Sequence, residues 1–166
     1  MKFCIITHVN HYKEQNNYFA YAPYVREMNI WLKFVDEVIV VAPIEKKEKT
    51  AIDICYTHEK IIFKKVPAFN VTSAKQLVIT LFSLPILLYS VFKAMQKADH
   101  IHLRCPGNMG LIGALVQIAF PRKKKTAKYA GNWDSKSKQP WSYKLQKWIL
   151  SSTFLTKNMQ VLVYGE

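Results

Sequence analysis

Along the chain, short β-branched runs alternate with longer segments whose apolar residues recur every three or four positions. Six runs read as strands: "KFCIITHV" at 2–9, "EVIVVAP" at 37–43, "KIIFKKV" at 60–66, "HIHLRC" at 100–105, "KTAKYAG" at 125–131 and "QVLVYG" at 160–165. Unbroken apolar stretches such as "VIVV" suit strands covered on both faces rather than strands with one wet side. Between them, "APYVREMNIWLKFV" sets Tyr24, Met28, Trp31, Leu32 and Val35 on one helical stripe. Further helical patterns cover 73–97, 109–120 and 141–155. Strands alternating with helices predict an α/β fold: a doubly wound, mainly parallel sheet of six to seven strands with helices on both faces. No internal repeat, low-complexity tract or linker divides residues 1–166, so a single domain is expected. The last strand runs straight into Glu166, and the expectation is that a second domain should follow it.

One apolar segment needs separate weighing. "QLVITLFSLPILLYSVF" at 76–92 carries no charge, but it is shorter than a usual bilayer span and holds Pro85 near its middle. It reads either as a membrane segment or as one or two buried helices, with Pro85 at a kink or in the first turn of the second. The opening "FCIITHV" is too short and too quickly followed by "NHYKEQNN" to read as a secretory signal. Three cysteines without metal-ligand spacing, two of them in apolar runs, suggest free packed thiols in a reducing cytoplasm.

Composition adds one strong feature, a net charge of +13 from 24 basic and 11 acidic residues. An anionic partner follows: anionic lipid, a phosphorylated ligand or nucleic acid. "RKKK" at 122–125, with Lys128, Lys136, Lys138, Lys144 and Lys147, concentrates the charge late in the chain. This run suits a solvated surface or the inner face of an anionic membrane; nucleic acid is the weaker reading, since no RNA-binding strand motif is present.

In open parallel sheets ligands bind beyond the carboxyl ends of the strands. After the first strand, the fourteen residues "NHYKEQNNYFAYAP" form an unusually long connection that brings His8, Asn10, His11 and Tyr12 to that edge, with groups suited to sugar hydroxyls. No glycine occurs between Phe3 and Arg26, which argues against a dinucleotide fingerprint. After the fourth strand, Arg104, Gly107, Asn108 and Gly110 lead into an apolar helix. They offer either a ligand cradle of backbone N–H groups beside a fixed positive charge, or a tight turn in which Gly110 gives helix-to-sheet clearance and Arg104 is solvated. After the fifth strand, Asn132 and Trp133 could bind and stack on a sugar, and Asp134 could act as general base; equally, Asn132 and Asp134 could cap a turn. His100 and His102 share a strand face, but no third ligand accompanies them, so no metal is expected.

These residues carry a family resemblance. "ITHV", the Tyr-rich polar loop, "PYVREMNIWLKFVDEVIVVAP", "ADHIHLRCPGNMG" and "KYAGNWD", taken in order, resemble the N-terminal, acceptor-side domain of bacterial GT-B glycosyltransferases of the family-4 type. The resemblance implies a Rossmann-like half of a two-domain hexosyltransferase working on surface polysaccharide or glycolipid. It implies a nucleotide-sugar as co-substrate of the full-length enzyme and no cofactor in this half. The missing C-terminal domain would bind that donor, this half would bind a glycan or glycolipid acceptor, and alone it would not transfer sugar. Peripheral contact with an anionic membrane is in keeping with it. The alternative is a stand-alone α/β module binding an anionic sugar or nucleotide.

Overall fold

The computed structural model describes residues 1–46, 50–67, 74–134 and 137–164, with the side chains of 74–81 left aside. Lys136, Gly165 and the side chain of Thr80 therefore lie outside the described residues. In chain order the elements are β1 (Lys2–Ile6), β2 (His11–Glu14), β3 (Asn17–Tyr21), α1 (Ala22–Leu32), β4 (Glu37–Ala42), β5 (Asp53–Cys55), β6 (Ile61–Lys65), α2 (Ala74–Lys97), β7 (His100–Cys105), α3 (Asn108–Val116), β8 (Lys124–Tyr129), α4 (Trp141–Ser151) and β9 (Met159–Val163). A short 3-10 turn, Gln117–Ala119, extends α3.

The six strands expected from the apolar runs form one sheet in the order β6-β4-β1-β7-β8-β9, and every pairing in it is parallel. This is a Rossmann-like doubly wound arrangement. Alternate residues of β1 show why both faces are apolar. Phe3 and Ile5 point into a core built with Tyr24, Val25, Met28 and Leu32 of α1. Cys4 and Ile6 point the other way, into a larger core with Leu87, Val91 and Met95 of α2, Ile112 of α3 and Ile149 of α4. The α1 stripe packs as its spacing predicts, with Trp31 and Val35 half-buried at its margin and Val35 falling past the helix end.

One expectation needs correction, and one pair of alternatives is decided. The long connection after β1 is not a polar loop. It folds into the antiparallel hairpin β2–β3, with His11 opposite Ala20 and Glu14 opposite Asn17, and β5 adds a third strand. Gln15, at φ 52, makes the tight turn. The hairpin was hard to read because its alternation is carried by Tyr, Phe and Ala among polar residues, without the Val and Ile that usually announce a strand. The segment around Pro85 is one continuous helix with the proline inside it. Among the described residues, no helix is long and apolar enough to cross a membrane.

Candidate functional site at the strand-order switch point

From β1 the chain winds outward to β4 and β6, and from β7 it winds the other way to β8 and β9. The carboxyl ends of the adjacent strands β1 and β7 therefore diverge, and a crevice opens between the connections that leave them. A concavity of about 380 Å³ occupies this place, walled by His8 after β1, by Tyr24 and Glu27 of α1, by Arg104 to Pro106 at the end of β7, by Ala130 after β8, and by Tyr164 after β9.

Its electrostatic centre is Glu27. One carboxylate oxygen accepts from Arg104 Nη1 at 2.9 Å and the other from Lys128 Nζ at 2.8 Å. Arg104 and Lys128 are register partners on β7 and β8, so both side chains emerge on the same face of the sheet, the one α1 covers. The Arg104 guanidinium sits 5.7 Å from the Tyr24 ring centre, and Lys128 Nζ sits 5.1 Å from that of Tyr164. Burial pulls the Lys128 pKa down, but hydrogen bonds and charge from Glu27 and Tyr164 leave it raised overall. The result is two fixed cations around one anion, with an excess positive charge beside aromatic walls.

His8 and Gly107 meet across the crevice. Gly107 has φ 150, and a Cβ built there would lie 2.8 Å from His8 Nδ1, so glycine is needed both for the backbone and for the approach of the imidazole. The Cys105–Pro106 peptide before it is cis. Burial, and secondarily the Arg104 charge, lower the His8 pKa and so favour the neutral ring, which can accept as well as donate. Cys105 also borders the crevice, but burial pushes its thiol up to about 12, so it offers no thiolate nucleophile.

The other candidates from the sequence are distributed differently. His11 is wholly buried: Nδ1 lies 2.8 Å from the Val9 carbonyl, Nε2 lies 2.8 Å from the Tyr56 hydroxyl, and burial lowers its pKa to about 4. It is a core residue pinning the hairpin, not an edge ligand. Asn10 and Tyr12 both reach Glu45 instead of the crevice, Tyr12 at 3.4 Å. Asn108 opens α3, one residue past Gly107. Gly110 faces the sheet: a Cβ there would meet the Arg104 carbonyl at 2.8 Å and Cys105 Sγ at 2.9 Å, so its role is helix-to-sheet clearance.

The segment after β8 leans on the crevice through Gly131, whose added Cβ would meet Pro106 Cγ at 3.0 Å. Beyond that point it builds a turn. The Asp134 N–H donates to Asn132 Oδ1 at 2.8 Å, and the Asp134 carbonyl accepts from Lys147 Nζ at 2.8 Å. Trp133 packs edge-on against Tyr129, with ring centres 5.0 Å apart. Of the alternatives the sequence offered for Asn132 and Asp134, the capped turn is therefore the one built, and neither residue nor Trp133 borders the concavity.

The basic run is also partly spoken for. Lys125 is buried and donates to Gln117 Oε1 at 2.7 Å, Lys128 serves Glu27, and Lys147 is buried against Asp134. His100 and His102 both hydrogen-bond Thr126 Oγ1, at 3.1 and 2.9 Å. Among the described residues no group of three His, Cys, Asp or Glu side chains is placed to hold a metal ion.

Sequence reasoning missed Glu27, Tyr24, Tyr21 and Tyr164 as wall residues. The available signal was parity: Arg104 and Lys128 alternate onto one sheet face, and an acid on the adjoining helix, three residues from the buried Tyr24, is the natural counter-charge. Comparison with protein-family models, curated proteins and solved structures gives no match to the chain.

Proposed function

We propose that the chain is the acceptor-side domain of a GT-B-type glycosyltransferase and that the switch-point crevice receives a hydroxyl-rich, negatively charged acceptor. The observation that carries this reading is the Arg104–Glu27–Lys128 cluster at the mouth of the crevice. An ionised carboxylate accepts from sugar hydroxyls, and the flanking cations have donors to spare for a phosphate or uronate. Tyr21 and Tyr164, both exposed, supply a flat apolar surface on which a pyranose face would rest. His8, its pKa lowered by burial, stands on the wall and is the natural partner for a hydroxyl about to be activated. The donor sugar nucleotide belongs to a second domain in this reading, and the reaction would take place between the two.

The test has two arms. In the first, the chain is titrated with a panel of neutral glycans and glycosyl phosphates, with amide shifts as readout. Perturbation should centre on residues 8, 104, 128 and 164 and favour charged glycans, and Arg104→Ala should weaken binding by about 10- to 100-fold, the usual worth of a charge-assisted hydrogen bond. In the second, the product of the complete reading frame is assayed for transfer from nucleotide-sugars. Binding without transfer supports the stand-alone module; no binding of any member of the panel refutes both.

A further inference from the structure

The β6 flank of the sheet is bare. Five of the six β4 residues are buried, whereas no residue of β6 is, and Ile62 is 42% exposed. Helix α2 packs over β4 and β1 and leaves the edge strand uncovered. Between that helix and the edge runs a groove of about 560 Å³, with Ile39, Ile62 and Ala94 as its floor and Lys64, Lys93 and Lys97 on its rim. Lys93 lies 5.7 Å from the Tyr89 ring centre. Among the described residues none of these three lysines is in an ion pair, and no acid lines the groove.

The backbone beside the groove is open as well. The Lys60 carbonyl accepts from the Val38 N–H at 3.0 Å, and the Val66 N–H donates to the Ala42 carbonyl at 3.2 Å. Both groups of one residue leave a strand on the same side, and successive residues alternate sides. Even-numbered positions of this segment therefore serve β4, and the N–H and C=O groups of Ile61, Phe63 and Lys65 face outward. β6 ends the strand order, and among the described residues no strand pairs with this edge.

Such an edge is a template for another strand, and lysines along it oppose pairing with a like edge. Lys60, Lys64 and Lys65 bar a second copy of this chain, whose own lysines would stand opposite them. An acidic strand meets no such barrier. Its glutamates, on the α2 side, would lay their methylenes over Ile39 and Ile62 and reach the rim ammonium groups with their carboxylates. The intervening side chains would fall on the other face beside Ile61 and Phe63, both half-buried, where β-branched residues pack well. A nucleic acid or a lipid surface supplies phosphates for the lysines but no ladder for the β6 backbone.

We propose that the β6 edge and its groove bind an extended acidic segment of a partner protein by strand addition, reading glutamates that alternate with β-branched residues. The surface lies at the flank of the sheet, so the proposal stands apart from the reading of the crevice. The probe is a labelled eight-residue peptide alternating glutamate with valine, followed by fluorescence anisotropy with the whole chain.

The peptide should bind, and a peptide of the same composition with its glutamates and valines in two blocks should not. Of two versions N-methylated on every glutamate or on every valine, one should lose binding and the other keep it, because only one set of N–H groups faces β6. Lys64→Gln, Lys93→Gln and Lys97→Gln should each weaken binding about two- to fivefold. Lys144→Gln, an exposed lysine of α4, should change nothing. All four side chains are exposed, so unchanged thermal melting verifies folding. The proposal is overturned by absence of binding at millimolar peptide, by equal binding of the block peptide or of both N-methylated versions, by binding indifferent to the three rim lysines, or by anionic vesicles or an oligonucleotide displacing the peptide with the same lysine dependence.

Discussion

Glu27 is 77 residues from Arg104 in the chain, yet the two form an ion pair at 2.9 Å, and Lys128 arrives from a third element at 2.8 Å. The three side chains are only 15–21% exposed, so their charges are poorly screened and each depends on the others for compensation. Glu27→Gln should therefore leave two half-buried cations facing one another and destabilise the domain by about 1–3 kcal/mol in urea unfolding. It should also bring the Lys128 pKa down, since Glu27, together with Tyr164, raises it against burial. Unchanged stability and an unchanged lysine titration would mean that the cluster contributes nothing net. Arg104, Gly107 and His8 were legible in the sequence because a strand end positions them locally. Glu27 and His11 were not, because one acts across a fold-level distance and the other is turned inward by a hairpin whose residues look like loop.

At the scale of elements, β1 and β4 were the plainest to read because a parallel strand buried on both faces has few polar positions. The helix–sheet spacing is set by details the pattern does not carry. Gly110 and Gly113 lie one turn apart on the side of α3 that meets β7 and β1. Alanine at either position gains about 1 kcal/mol of helix propensity. At Gly110 the added methyl meets the Arg104 carbonyl oxygen, fixed in the sheet, whereas at Gly113 it meets the Leu103 Cδ2 methyl, the far end of a flexible side chain, at 2.7 Å. Gly110→Ala should accordingly destabilise by about 1–3 kcal/mol, with Gly113→Ala close to neutral. Equal effects of the two substitutions on the thermal midpoint would show that α3 shifts as a rigid body rather than yielding at one contact.

For the whole molecule, two imidazoles sealed against the core on the α1 side of the sheet set a limit on acid stability. Burial lowers His11 to about 4, and burial, followed by nearby cations, lowers His102 to about 3. In the unfolded chain both would titrate near 6.5, so between pH 6.5 and about 4 the unfolded state binds more protons than the folded one. Stability is then fully present above pH 6.5 and falls as pH drops, by about 1.4 kcal/mol per pH unit for each imidazole until its folded pKa is reached. Carboxylates titrate mainly at the lower end of this range, and Asp36, which the N-terminal ammonium holds below the usual value, loses its contribution only lower still. The general repulsion of a chain already at +13 acts in the same direction, but salt screens it and does not screen the cost of charging a buried ring. Urea unfolding followed from pH 7 to 5 at low and high salt should thus keep a steep dependence at both. His102→Gln and His11→Gln should each flatten it by about one proton while lowering stability at pH 7. A dependence that vanishes in salt, or that neither substitution alters, would assign the acid lability to surface repulsion instead.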